Sequence, residues 1–124
     1  VNEDASERGH TIVVVEDDPE IRELESFLLV AEGHRVVGLP DGDAVAETVR
    51  RVGADLVLLD LMLPRKHGNV VLEELGSDLA TATVPVIVVS AYPHQLRPTD
   101  QVRRVLPKPF DVTDLLDAIA TIAD

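Results

Sequence analysis

The chain has 124 residues, enough for one domain, and 45% apolar residues supply a single core that 2% aromatics leave to Val, Leu, Ile and Ala. Lys and Arg total 11 against 23 Asp and Glu, and a formal charge of −12 repels nucleic acid, while zero cysteines exclude disulfides and thiolate metal sites. No apolar run approaches the roughly 18 residues of a bilayer span, and the N-terminus lacks a signal-peptide pattern, so a cytoplasmic location without membrane insertion is expected.

Residues 1–10 are polar and aperiodic and read as a flexible leader, with the domain proper over 11–124. Thr11 to Val15 form a buried first strand that runs into Glu16, Asp17 and Asp18. Pro19 suits the first helical position with Asp18 as cap, and Ile21, Leu24, Leu28 and Ala31 supply the spacing of one helix face, core or interface, before Gly33. A second strand covers Val36 to Leu39. Asp41 is placed to cap a helix carrying Ala44, Val45, Val49 and Val52, closed at Gly53. Leu56 to Leu59 is a third strand delivering Asp60, and Val71, Leu72 and Leu75 mark a third helix beyond Pro64 and Gly68. Pro85 to Val89 delivers Ser90, and Arg103 to Leu106 is a short fifth strand before Pro107, Lys108 and Pro109. A last helix follows Asp111 with Leu115, Leu116, Ile119 and Ile122 toward one side. Such alternation predicts a doubly wound, five-stranded parallel sheet between helical layers, in the flavodoxin-like order 2-1-3-4-5.

In an open parallel sheet the C-terminal strand ends line one rim, so Glu16, Asp17, Asp60, Ser90 and Lys108 are expected to converge there. Clustered carboxylates repel one another unless a cation offsets them, and oxygen ligands favour a hard cation such as Mg²⁺. Asp17, Asp60 and a backbone carbonyl near Met62 would be direct ligands, with Glu16 acting through water. Asp60 is the best-placed nucleophile for phosphoryl transfer, with Lys108 and Ser90 as contacts to phosphoryl oxygens. Alone, each residue has a plain reading: a solvated turn, a loop hydroxyl, a surface lysine. His10, His34, His67 and His94 show no metal-ligand spacing and are expected to be structural or on the surface, with His67 near a docking partner. A Gly-rich phosphate loop and a Ser-His-Asp order are both missing, and Asp60-Leu61-Met62 lacks the second carboxylate of a haloacid dehalogenase-type phosphatase.

The strings VVVEDDPEIRELE, LVLLDLMLPRKHG, VPVIVVSA and LPKPF closely resemble the response-regulator receiver domain of bacterial two-component signalling, over about Thr11 to Ile122. The resemblance implies a phosphoacceptor at Asp60, an acidic pair at Glu16 and Asp17, a hydroxyl residue at Ser90, a phosphate-contacting Lys108 and a cis bond before Pro109. It also implies Mg²⁺, a histidine kinase or histidine phosphotransfer protein as phosphodonor, and slow autodephosphorylation. Such a domain catalyses its own modification and is not a conventional turnover enzyme. A downstream protein target and a homodimer are compatible with it.

The chain departs from the family pattern between Ser90 and Lys108. Those residues stand 18 positions apart, fewer than is usual, and Pro93 and Pro98 leave little room for a regular fourth helix, so Thr99 to Arg104 is expected to be one turn or extended. Val105 stands where the family carries a switch aromatic. Met62 and Tyr92 are expected to border the pocket and hinder water attacking an acyl phosphate. These departures keep a second function open: a receiver-like interaction module whose output is independent of phosphate.

Overall fold

The computed structural model describes residues 9–123, so most of the expected leader lies outside the described residues. His10, assigned to that leader, is half-buried, and its backbone N–H donates to His34 Nδ1 at 3.1 Å. Five parallel strands form one sheet: β1 (Thr11–Val15), β2 (Arg35–Leu39), β3 (Leu56–Leu59), β4 (Val86–Ser90) and β5 (Val102–Pro107), in the order β2-β1-β3-β4-β5. The helices are α1 (Pro19–Ala31), α2 (Val45–Val52), α3 (Gly68–Gly76) and α4 (Val112–Ala123). None of the described helices is long and apolar enough to cross a membrane.

Strand side chains alternate between two cores. Val13, Val15, Val57, Leu59, Val86 and Val88 pack with residues of α2 and α3. Ile12, Val14, Leu58, Ile87 and Val89 pack with Leu29 of α1 and Leu115, Ala118 and Ile119 of α4. Residues of β1 and β3 are buried on both faces, which is why these strands read as unbroken apolar runs. The expected order is thus present, and β1 and β3 bring Glu16 and Asp60 to the same rim.

Helix ends follow the sequence signals in most places. Asp18 accepts from the backbone of Glu20 and Ile21, and Gly33 and Gly53 take positive φ at the ends of α1 and α2. Asp41 does not cap α2. That helix starts from Ala44 without a side-chain bond, while Asp41 accepts from Asp43 N and pairs with Arg65, which also pairs with Asp43.

The apolar face of α1 meets the core only in part: Leu28 packs partly buried against it beside buried Glu25 and Leu29, whereas Leu24 is 45% exposed and Ala31 is exposed. Between β4 and β5 a regular helix is replaced by one 3₁₀ turn, Pro93–Gln95, and an irregular strap to Asp100. Asp100 and Gln101 form a single turn, with Val102 N bonding Thr99 O at 3.0 Å, and the chain is extended from Val102 onward.

Candidate functional site

Glu16 follows β1 directly; its N–H bonds Leu39 O at 3.0 Å, and its own carbonyl accepts from Arg22 Nη1 at 2.7 Å. Both ties fix the backbone, so the side chain turns inward and is 1% exposed. Its Oε2 accepts from Asp18 N at 3.1 Å. Asp17, next along the chain, is exposed at the rim. Asp60 follows β3, its N–H bonding Val15 O at 3.0 Å, and is 5% exposed. Gly68, opening α3, is pressed against this peptide: a Cβ there would lie 2.7 Å from Asp60 O and 2.7 Å from Leu61 Cα.

Lys108 links the carboxylates. Its Nζ donates to Glu16 Oε1 at 2.7 Å and to Asp60 Oδ2 at 3.2 Å. The Lys108–Pro109 bond is cis, and Lys108 N donates to Ser90 O at 2.9 Å, so the ends of β4 and β5 are locked together. Ser90 is fully buried. Its Oγ accepts from Tyr92 N at 3.0 Å, so the hydroxyl lies on the strap side of the rim. Met62 N approaches Asp60 Oδ1 at 3.4 Å, with the Met62 side chain 42% exposed. Tyr92 is exposed, its ring edge-on to His94 at 6.1 Å.

Burial pushes the Glu16 carboxyl up, and the Asp60 charge adds to this, against the pull of Lys108 and the Asp18 N–H. Burial alone would lower the Lys108 ammonium, but the Glu16 hydrogen bond and the Asp60 charge outweigh it, and its pKa is raised. The ammonium therefore stays charged and screens the two carboxylates from each other.

The donor chemistry fits a hard cation. Glu16, Asp17 and Asp60 each offer a carboxylate oxygen, and these atoms lie within 4.8 Å of one another. An all-oxygen set that is partly open to solvent suits an ion retaining some of its waters. The histidines take no part: His10 and His34 stack at 5.6 Å before β1 and β2, at the other end of the strands.

Two features escaped the sequence reading. Glu25 is 2% exposed, and burial, reinforced by the negative charge of Glu16, pushes its carboxyl up to about 8. Its position within the apolar α1 pattern, four residues before Leu29, was the available signal. Asn69 is buried and bonds the strap backbone at both Gln95 and Arg97, and no sequence motif marks that role.

A family profile describing the response regulator receiver domain matches residues 12–120. The chain belongs to this family. Sensory transduction protein RegX3 of Mycobacterium tuberculosis (strain ATCC 25618 / H37Rv) is 41% identical over 81 residues, 65% of this chain and 34% of RegX3. The DNA-binding dual master transcriptional regulator RpaA of Synechocystis is 33% identical over 116 residues, 90% of this chain and 48% of RpaA. The chain therefore spans half or less of these relatives' length. Among solved structures, the receiver domain of sensor histidine kinase PA1611 from Pseudomonas aeruginosa has a TM-score of 0.85 at 26% identity, covering 93% of this chain and 98% of that one. That structure holds a magnesium ion in its active-site cleft. Receiver domains interact with histidine kinases or phosphotransfer proteins and act as phosphorylation-dependent signalling switches.

Proposed function

We propose that this receiver domain accepts a phosphoryl group from a phosphohistidine donor onto Asp60, holds it as an acyl phosphate, and loses it slowly to water. The carrying observation is the placement of Asp60. Its nearly buried carboxylate offers an oxygen within 4.8 Å of those of Glu16 and Asp17, and the Lys108 ammonium, 3.2 Å away, bridges it to Glu16. An Asp60 carboxylate oxygen forms the new bond to phosphorus while the donor's P–N bond breaks, its electron pair returning to the imidazole. Lys108 follows the transferred group by exchanging Asp60 Oδ2 for a phosphoryl oxygen, and Ser90 Oγ–H donates to another.

Glu16, Asp17, Asp60 and the Met62 carbonyl are the residues to hold Mg²⁺, which when bound supplies positive charge for the phosphoryl oxygens. Glu16 acts through water, being already engaged with Lys108 and Asp18. An apolar groove of about 490 Å³ beside the site, lined by Ile21, Leu24, Pro109, Phe110 and Val112, suits a helix of the donor, a histidine kinase or histidine phosphotransfer protein. Donor and acceptor then share the cytoplasm, and output passes to a downstream protein target. Met62 and Tyr92 flank the approach of hydrolytic water and prolong the modified state.

A phosphate-independent interaction module is the second reading, favoured by the strap in place of a fourth helix and by Val105, 37% exposed where an aromatic is usual. Intact mass after incubation with Mg²⁺ and a small phosphodonor separates the two. One added phosphoryl group, lost in Asp60→Asn and without Mg²⁺, supports transfer to Asp60. Folded protein sampled rapidly without an adduct supports the second reading.

A further inference from the structure

The strap between β4 and β5 is held by side chains from α3 and the residue that caps it. The Asn69 amide straddles Leu96: Nδ2 donates to Gln95 O at 2.9 Å, and Oδ1 accepts from Arg97 N at 2.9 Å. A side-chain amide bonded to two backbone groups in this way does what a neighbouring strand would do, and it pairs two strap backbone groups that have no neighbouring strand. Leu96 lies partly buried against the α2–α3 core, so the strap is seated and not merely tethered. His67 adds a third tie. Its Nδ1 accepts from Asn69 N at 3.0 Å, which places the ring proton on Nε2, and Nε2 then donates to Gln95 Oε1 at 3.3 Å.

Both ends of this clasp touch the proposed site. On one side, Gly68 lies between His67 and Asn69 and packs on the Asp60 peptide without an intervening side chain, its N–H bonding Leu61 O at 2.7 Å. On the other, the Ser90 hydroxyl accepts from Tyr92 N, and Tyr92 O accepts from Gln95 N at 3.0 Å. Asp60, the start of α3, the strap and Ser90 therefore form a chain of contacts, closed through Lys108, whose Nζ donates to Asp60 Oδ2 and whose backbone N–H donates to Ser90 O. Val105 is too short to swing between two seats, and the bond from Ser90 Oγ runs into the strap.

We infer that the Asn69 clasp on the strap, rather than a swinging aromatic, is the element through which phosphorylation of Asp60 is passed to the protein surface. Turning Ser90 Oγ toward a phosphoryl oxygen draws it from Tyr92 N, removes one anchor of the 3₁₀ turn and loosens Gln95 and Arg97 from Asn69. The strap, with exposed Tyr92, His94 and Arg97, then presents a different surface. This inference rests on the phosphorylation proposed above.

The test is residue-resolved amide exchange on the full chain, free and with beryllofluoride plus Mg²⁺, with adduct formation read independently by fluorine NMR. In the free protein the Arg97 amide is protected. The adduct is expected to raise its exchange about tenfold, the worth of one hydrogen bond. Asn69→Leu, close in volume and apolar, gives the same rise without adduct and no further rise with it. Asn69→Asp keeps an acceptor for Arg97 N and leaves that amide protected in the free protein. An adduct that leaves Arg97 exchange unchanged in the wild type overturns the clasp while the phosphorylation reading stands. Absence of any adduct overturns both.

Discussion

Replacing Glu25 with Gln should stabilise the metal-free domain at neutral and alkaline pH and leave it unchanged in acid. Glu25 is 2% exposed as a residue, and none of the described residues gives its carboxyl a hydrogen bond or ion pair. Burial, with the Glu16 charge added, raises it from 4.5 to about 8. Below the unfolded value of 4.5, folded and unfolded chains both carry the proton, and the contribution to stability is fully present. As pH rises from there, the unfolded chain releases its proton while the folded chain keeps it, so stability falls; by about pH 8 the contribution is gone.

The rise from 4.5 to about 8, at about 1.36 kcal/mol per pH unit, sets a ceiling of about 5 kcal/mol. Water entry and relaxation of α1 reduce this, and about 2–3 kcal/mol is the expected gain. Urea denaturation of both proteins in EDTA, from about pH 5 to about pH 8.5, reads it as a widening gap in midpoint with similar slopes. Lys108 stays charged over this range and Glu16 is present in both proteins, so the difference reports Glu25 together with its coupling to Glu16. Parallel curves over that range would refute the claim that Glu25 is folded in its neutral form.

Lys108→Gln removes the ammonium that sits 2.7 Å from Glu16 and 3.2 Å from Asp60. Isothermal titration should show Mg²⁺ binding several-fold more tightly, while intact mass shows slower phosphorylation. Gly68→Ala places a methyl 2.7 Å from Asp60 O and Leu61 Cα, both backbone atoms; thermal melting should show a loss of about 1–3 kcal/mol, with phosphorylation slowed as Asp60 shifts. Met62→Asn puts a water-positioning amide beside Asp60 and should shorten the acyl-phosphate lifetime several-fold; an unchanged decay in mass time courses would remove Met62 from that role.

The sheet was legible because both of its faces are covered. Strands such as Leu56 to Leu59 are buried throughout, and a short unbroken apolar run between turn residues has few other uses. The rim residues were legible for a related reason, since each ends or follows a strand, and parallel order carries those ends to one side. Helix faces were harder. On α1 the apolar residues Ile21, Leu24, Leu28 and Ala31 share a face, yet the core takes Leu28 in part together with Glu25 and Leu29, and Leu24 turns to the groove beside Pro109 and Phe110. A stripe of apolar residues does not say whether a helix face meets the core or a partner. Asp41 misled differently: one carboxylate oxygen bonds the N–H two residues on, in the turn before α2, and the other pairs with Arg65, distant in sequence.

Glu25 and Asn69 share a property that links these misreadings to function. Each is a polar side chain almost wholly buried where an apolar one would pack at less cost. Asn69 meets that cost by bonding the strap at two points, so its presence follows from the missing fourth helix: with no α-helix between β4 and β5 to supply backbone partners, the Gln95 carbonyl at the end of the 3₁₀ turn and the Arg97 N–H beyond it take theirs from a neighbour. Glu25 has no such partner, and its neighbours are the charges of Glu16, Asp60 and Lys108. A neutral acid there leaves the field at the site nearly unaltered, whereas an ionised one adds a negative charge behind Lys108. Local propensity and apolar period describe how a chain covers its core. These two residues answer instead to what lies across from them, one to a stretch of backbone and the other to a charged pocket.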